Sequence, residues 1–268
     1  MSLLLSEIYI YPIKSLGGIS LQNSFVEDEG LRFDRRMMIV DESGTFLTQR
    51  SHPRMALIKT AIDGNSINVN DARTNMSLTI PFGSRADEKI IVKIWDDICS
   101  AQIVSKQASA FFSNILGLKC HLVSIPSDEL RLVDKKKKYV AEDHYVGFAD
   151  AYPFLIIGQS SIDDLNSRLD EFLPMNRFRP NFVFAGGEPF EEDTWSDFKI
   201  GSVKFRAAKP CERCVIPTTN QDTGERKDEP LKTLSTYRKF DNKVLFGMNL
   251  ISTSTGMVSI GDKIELIK

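Results

Sequence analysis

Apolar and polar residues alternate over residues 4–11 until Pro12 breaks the run, the period of two that predicts a strand with one buried face. Residues 37–40 and 45–48 flank Asp41-Glu42-Ser43-Gly44 and predict a hairpin. Residues 57–62 and 67–69 flank Asp63-Gly64-Asn65 and predict a second. After a break at Pro81-Phe82-Gly83-Ser84, residues 90–95 and 98–103 form a strand pair around Asp96-Asp97, and 107–116 reads as a helix. The clearest helix is 160–171, where Ile162, Leu165 and Leu169 share one face and Ser160 with Asp163 resembles a capping box. Short strands follow at 181–185 and 198–207, and a tail over 257–267 carries Gly261-Asp262. There are no repeats. The pattern predicts a β-rich α+β fold, barrel-like with a few peripheral helices, divided into residues 1–88 and 89–268.

Composition narrows this only a little. With 268 residues, 42% hydrophobic, 26% charged and a net charge of −2, the chain is that of an ordinary globular protein and gives no support to a nucleic-acid or membrane-surface role. No apolar run approaches the ~18 residues of a membrane span. The first residues lack a basic segment and a cleavage site, so no signal peptide is expected. Four cysteines fit a reducing compartment, which predicts a cytoplasmic protein. The lysine run from Lys135 to Lys138 reads as a solvated loop, or alternatively as a patch that steers an acidic redox partner.

The most informative stretch is Lys209-Pro210-Cys211-Glu212-Arg213-Cys214-Val215-Ile216-Pro217-Thr218-Thr219. Four readings compete for its cysteines. A structural zinc site needs four ligands, commonly as two pairs, and the other cysteines and histidines are scattered. A thioredoxin-like pair needs a helix directly after it, whereas Cys214 runs into a β-branched, proline-interrupted segment. Two ordinary cysteines near a strand end are a third reading. The fourth is a single thiolate ligand to a soft metal, favoured by the charges of Lys209 and Arg213 beside it.

Three other segments carry polar chemistry. In Phe178-Arg179-Pro180-Asn181, Pro180 predicts an extended approach that points Arg179 and Asn181 the same way. Arg offers a planar fork of donors, and Asn offers both donors and acceptors. Lys14-Ser15-Leu16-Gly17-Gly18 could form an anion-binding loop or an ordinary surface loop. Arg35 and Arg36 point oppositely if extended, so one at most faces a site.

Taken in order, these segments resemble the MOSC-domain family, and within it the bacterial YcbX and amidoxime-reducing component (mARC) proteins. Ile8-Tyr9-Ile10-Tyr11-Pro12-Ile13-Lys14-Ser15 and Gly30-Leu31-Arg32-Phe33-Asp34-Arg35 resemble the MOSC N-terminal β-barrel domain. Phe148-Ala149-Asp150-Ala151-Tyr152-Pro153-Phe154, Arg179-Pro180-Asn181, the segment 209–219, Glu229-Pro230-Leu231-Lys232-Thr233-Leu234 and Phe246-Gly247-Met248-Asn249-Leu250 resemble the MOSC domain proper. The resemblance implies a molybdenum cofactor (Mo-molybdopterin), with Cys214 as the metal ligand and Cys211 as a neighbour. It implies that Lys14, Ser15, Arg35, Arg179, Asn181 and Arg213 hold the pterin and its phosphate, with Asn249 and Asp150 at further positions of the site. Asp150 is also the candidate proton donor. Glu212 stands where many relatives carry a small residue, and Ala151 where Gly or Thr is common.

The activity this implies is two-electron reduction of N-hydroxylated compounds to the amine or amidine plus water. Residues 1–268 contain no C-x₄-C-x₂-C run, so electrons are expected from a separate ferredoxin or flavoprotein. A hydrophobic N-terminal anchor is likewise not expected. The alternatives are a non-catalytic carrier of the cofactor or its sulfur, and a CxxC metal-binding module.

Overall fold

The alternating N-terminal run becomes the strand Leu4–Ile10, with Leu5, Ile8 and Ile10 buried. One of its edges pairs with Ile19–Leu21, and the other pairs with the distant strand Phe182–Ala185. From there, in the computed structural model, which describes residues 2–133 and 140–267, the hydrogen-bonded path continues through Phe154–Gly158, Lys243–Ser252, Val203–Glu212, Asp197–Ile200 and Ile264–Leu266. A bridge between Leu4 and Lys263 rejoins the first strand, with Ile264 N–H donating to the Leu3 carbonyl at 3.0 Å. Closing the sheet leaves few unpaired strand edges.

Phenylalanines fill the interior. The ring centroids of Phe154, Phe182, Phe198 and Phe205 lie 5.5–5.7 Å from their partners in stacked and edge-on pairs. The strand Phe154–Gly158 is buried at every position. Its outward side chains Leu155 and Ile157 are covered by Ile162 and Leu165 of helix α2 (Gln159–Asn166) and by Leu234 of helix α3 (Leu231–Tyr237). A strand covered on both faces has no reason to alternate.

Two of the three predicted hairpins are present; at the first, residues 45–48 form no strand and meet Val40 only in an isolated bridge from Phe46, because Met37–Asp41 pairs instead with the distant strand Cys120–Ser124. Ile58–Asp63 pairs with Ser66–Asp71 across the Gly64 turn, and Ser77–Pro81 adds a third strand. Lys89–Ile94 pairs with Asp97–Ile103 and joins a four-stranded sheet with Met37–Asp41 and Cys120–Ser124. Helix α1 (Lys106–Leu116) is capped by Ser105, which accepts from the Ala108 amide, and stops at Gly117, whose φ of 71° no β-carbon opposes. The tail forms Gly256–Ser259 and Ile264–Leu266 on either side of Gly261-Asp262.

Two further expectations are corrected. The helix predicted over 160–171 is only Gln159–Asn166, and Ser160 does not cap it; its hydroxyl donates to the Gly187 carbonyl at 2.9 Å. The amide of Asn166 both donates to the Leu173 carbonyl and accepts from the Leu173 N–H, which ends the helix by a local side-chain competitor. The strand predicted over 198–207 is two strands, Asp197–Ile200 and Val203–Glu212, parted at Gly201 with φ 58°. The lysines from Lys135 to Lys138 lie outside the described residues. Among the described residues no helix is long and apolar enough to cross a membrane.

Candidate functional site

The topology brings four strand ends to one rim of the barrel. The C-terminal end of Leu4–Ile10 lies beside the starts of Phe154–Gly158 and Phe182–Ala185, which run parallel to each other. The end of Val203–Glu212 is reached across Lys243–Ser252, where Asn249 pairs with both Leu155 and Lys209. Irregular pairing between Ala207 and Lys209 and again between Pro210 and Glu212 bends that strand just before Cys214. A cavity of about 500 Å³ opens at this rim. Lys14, Ser15, Arg35, Asp150, Arg179, Asn181, Arg213, Cys214 and Asn249, the residues singled out from the sequence, all line it.

The cationic side of the cavity is built on a tyrosine. Tyr11 is buried, its hydroxyl donates to the Pro180 carbonyl at 3.1 Å, and both Arg35 and Arg179 lie over its ring, 4.4 and 4.1 Å from the centroid. Burial pushes the Tyr11 hydroxyl up to about 12, so it stays neutral. Arg35 is further held by Asp34 at 2.6 Å and by the Asn181 carbonyl oxygen at 3.0 Å. Burial lowers Arg179 to about 10, and it remains charged at neutral pH.

The expectation of an extended segment fails at Arg179, which has φ 57°; Arg35 (φ 47°) and Ser15 (φ 68°) share this left-handed backbone. Three residues of one rim in that region mark a backbone shaped by its surroundings. Asn181 is fully buried and knits strands together, donating to the Tyr9 carbonyl at 3.1 Å while accepting from Arg35 and from the Leu155 amide. Arg36 turns away to Glu29 at 2.7 Å, so one arginine of the pair faces the cavity.

The opposite side carries an ion network. Lys14 donates to Asp150 at 2.5 Å and to the Phe148 carbonyl at 2.7 Å. The other carboxylate oxygen of Asp150 accepts from Arg50 at 2.6 Å, and Trp95 Nε1 donates to Asp150 at 3.3 Å. Burial alone would raise Asp150, but Lys14 and Arg50 hold it far below the usual carboxylate range. Burial lowers Lys14 to about 8 against the pull of Asp150, with Arg131 and Arg50 adding to the lowering. Arg50 also interacts with the Cys214 sulfur, and with Asp150 this overcomes the burial that would lower it, so its pKa is raised.

Cys211 and Cys214 divide. Arg213 donates to the Cys211 sulfur at 3.1 Å and to the Phe178 carbonyl at 2.6 Å, while Cys211 packs against the apolar cluster under the helices. Cys214 faces Arg50. Glu212, whose partners offset the effect of burial, is drawn off by Lys209 at 2.5 Å and Lys243 at 2.8 Å, so its charge is compensated. The segment after Cys214 is one 3₁₀ turn, Ile216–Thr218. Among the described residues no three His, Cys, Asp or Glu side chains stand close enough to hold a metal, which leaves the four-ligand zinc reading without ligands there.

Sequence reasoning missed Arg50, Trp95 and the stacking role of Tyr11. Arg50 sits in Thr48-Gln49-Arg50-Ser51-His52, a turn segment with no motif, and nothing in the linear chain ties it to Cys214. The tie is made by Arg226, beyond the 3₁₀ turn, which donates to the carbonyls of Gln49 and Arg50 at 2.6 and 3.2 Å.

Comparison with known proteins adds lineage to this geometry. Residues 2–119 match the MOSC N-terminal beta barrel domain and residues 143–265 match the MOSC domain. The chain is 32% identical to mitochondrial amidoxime reducing component 2 of Rattus norvegicus, covering 97% of this chain and 82% of the relative. It is 27% identical to mitochondrial amidoxime-reducing component 1 of Homo sapiens, covering 98% of this chain and 82% of the relative. A molybdenum cofactor sulfurase of Arabidopsis thaliana is 32% identical over 91% of this chain but only 32% of its own length. With both domain types matched in order, the chain belongs to the MOSC family, its MOSC N-terminal beta barrel domain preceding its MOSC domain.

Proposed function

We propose that the chain binds a molybdenum cofactor and reduces N-hydroxylated compounds (hydroxylamines, amidoximes and N-hydroxylated bases) with electrons from a separate ferredoxin or flavoprotein. The carrying observation is a cavity wall that holds two cysteines, of which Cys211 is engaged by Arg213 and packed under the helices while Cys214 is not, together with six cationic side chains against two carboxylates. That donor set suits an anionic pterin phosphate on one side and a thiolate-bound metal on the other. Arg213 fits as well, since its buried Nε has no hydrogen-bond partner among the described residues. The size, about 500 Å³, falls in the range of small-molecule sites. Kinship with amidoxime-reducing components over nearly the whole chain supports the substrate class.

When bound, the cofactor supplies two-electron oxygen-atom chemistry, and R–NHOH plus two electrons and two protons gives R–NH₂ and water. The chain's residues divide the remaining work. Lys14, Ser15, Arg35, Arg179, Asn181, Arg213 and Asn249 hold the pterin and phosphate, and Cys214 ligates the metal. Asp150 is held ionised, so it suits the anchoring of Lys14 and Arg50 better than the proton-donor role expected of it from the sequence. Lys14 Nζ, lowered to about 8 by burial, can give up a proton close to neutral pH.

A carrier of the cofactor or its sulfur is the second reading, favoured by the likeness to molybdenum cofactor sulfurases. Protein made in a cofactor-producing host is assayed for molybdenum, for extractable pterin and for benzamidoxime turnover with a chemical or protein reductant. Stoichiometric molybdenum with turnover supports the reductase. Molybdenum without turnover under any reductant favours the carrier, and one equivalent of zinc with no molybdenum defeats both.

A further inference from the structure

Behind the 3₁₀ turn that follows Cys214 lies a second cavity, of about 300 Å³, separate from the one described above. Ile216 and Pro217 line the first cavity, while Thr218 lines the second. Arg177, only 5% exposed, is part of its lining. Its Nε donates to the Pro217 carbonyl at 2.7 Å, the one side-chain hydrogen bond it makes among the described residues; no carboxylate there pairs with it, and its terminal nitrogens are not among the buried unpartnered atoms, so they stay open to solvent. Burial pushes it below the ordinary arginine range. A largely buried guanidinium with no paired carboxylate and its terminal donors open to a cavity gains most from an anion that enters there.

The neighbouring acids are committed or distant from that role. Glu171 pairs with Lys227 at 3.1 Å, and Glu229 accepts from the Thr233 amide at 3.0 Å. Asp170 and Glu225 are exposed at the rim. Asn220 uses its carbonyl oxygen to accept from the backbone amides of Asp222 and Thr223, which leaves its NH₂ end available. Thr233 adds a hydroxyl to the lining.

We infer that this cavity is a second binding site, for a small carboxylate gripped by Arg177 with Asn220 and Thr233 beside it. A planar monoanion matches the two unused donors of the guanidinium fork. The acidic rim disfavours a dianion such as phosphate. This inference stands apart from the cofactor reading, because no residue proposed to hold the cofactor lines this cavity.

The test is a titration of the full-length protein followed by amide NMR, with sodium acetate, its neutral isostere acetamide, and inorganic phosphate at constant ionic strength. Acetate is expected to give saturable shifts at Thr218, Asn220 and Thr233, acetamide none, and phosphate weaker binding than acetate. Arg177→Lys, which keeps the charge but loses the fork, is expected to weaken acetate by about fivefold or more. Should that variant not fold, Thr233→Val carries the test with a loss of about threefold from one missing hydrogen bond. Equal shifts from acetate and acetamide, or unchanged affinity in the variants that fold, overturns the site. Phosphate binding more tightly than acetate overturns the choice of a carboxylate.

Discussion

Arg50 and Cys214 meet across the two matched domains: the guanidinium that grips Asp150 at 2.6 Å also interacts with the cysteine sulfur. One arginine therefore couples the proposed metal ligand to the ion network around Lys14. Arg50→Lys keeps the charge but cannot serve both partners in the same planar geometry. We expect it to fold normally and to lower turnover of the loaded protein about tenfold, with molybdenum content partly retained. Full activity in Arg50→Lys would show that charge alone suffices.

The two cysteines should separate cleanly. Cys214→Ala is expected to be purified without molybdenum from a cofactor-producing host. Cys211→Ser, which changes a sulfur bound by Arg213 and packed under the helices, should retain it. Metal analysis of both proteins, side by side, decides the ligand.

Lys14 gives the site a pH signature. Its amine loses its proton at about 8 in the folded protein, against 10.5 ordinarily. The unfolded chain therefore binds more protons than the folded one between those values, so this group's contribution to stability rises with pH across that window. Oxyanion binding runs the other way, since the cavity loses a positive charge as pH passes about 8. A pyrophosphate titration from pH 7 to 9 should show affinity falling, and Lys14→Arg should flatten that fall. An equal fall in Lys14→Arg would exclude Lys14 as its source.

Gln49 and Gln221 form a buried reciprocal pair, each amide donating to the other at 3.0–3.1 Å, while Gln49 also donates to the Ser15 carbonyl at 2.8 Å. The pair ties the loop after Cys214 to the loop of Lys14 and Ser15. Either single change to Leu leaves the remaining amide's carbonyl oxygen without its donor, while its NH₂ keeps a backbone acceptor (Ser15 for Gln49, Thr219 for Gln221), and is expected to cost about 1–3 kcal/mol. The double change should cost less than the sum of the singles. Denaturant unfolding of the three variants measures this, and strict additivity would count against the coupling.

Tyr11→Phe keeps the ring under Arg35 and Arg179 and removes only the bond to the Pro180 carbonyl. A stability loss of about 1 kcal/mol with molybdenum retained is expected. Tyr11→Leu removes the platform and should reduce molybdenum content as well.

The sequence by itself determined the local elements and the chemical vocabulary. Alternation and turn residues located the hairpins at Asp63-Gly64-Asn65 and Asp96-Asp97, because those signals act within a few residues. The ordered motifs named the residues that meet at the barrel rim, and all of them line one cavity. Helix α2 and the turn at Gly201 were misread because Asn166 and Gly201 act through a side-chain competitor and a left-handed turn, which hydrophobic periodicity does not register. Only the tertiary structure decided that Leu4–Ile10 joins Phe182–Ala185, that Arg50 reaches Cys214, and that Arg177 lies buried without a carboxylate partner among the described residues. These are consequences of long-range pairing and burial, and no short-range pattern of hydrophobic and polar residues encodes which distant cation a folded chain will bring to a sulfur.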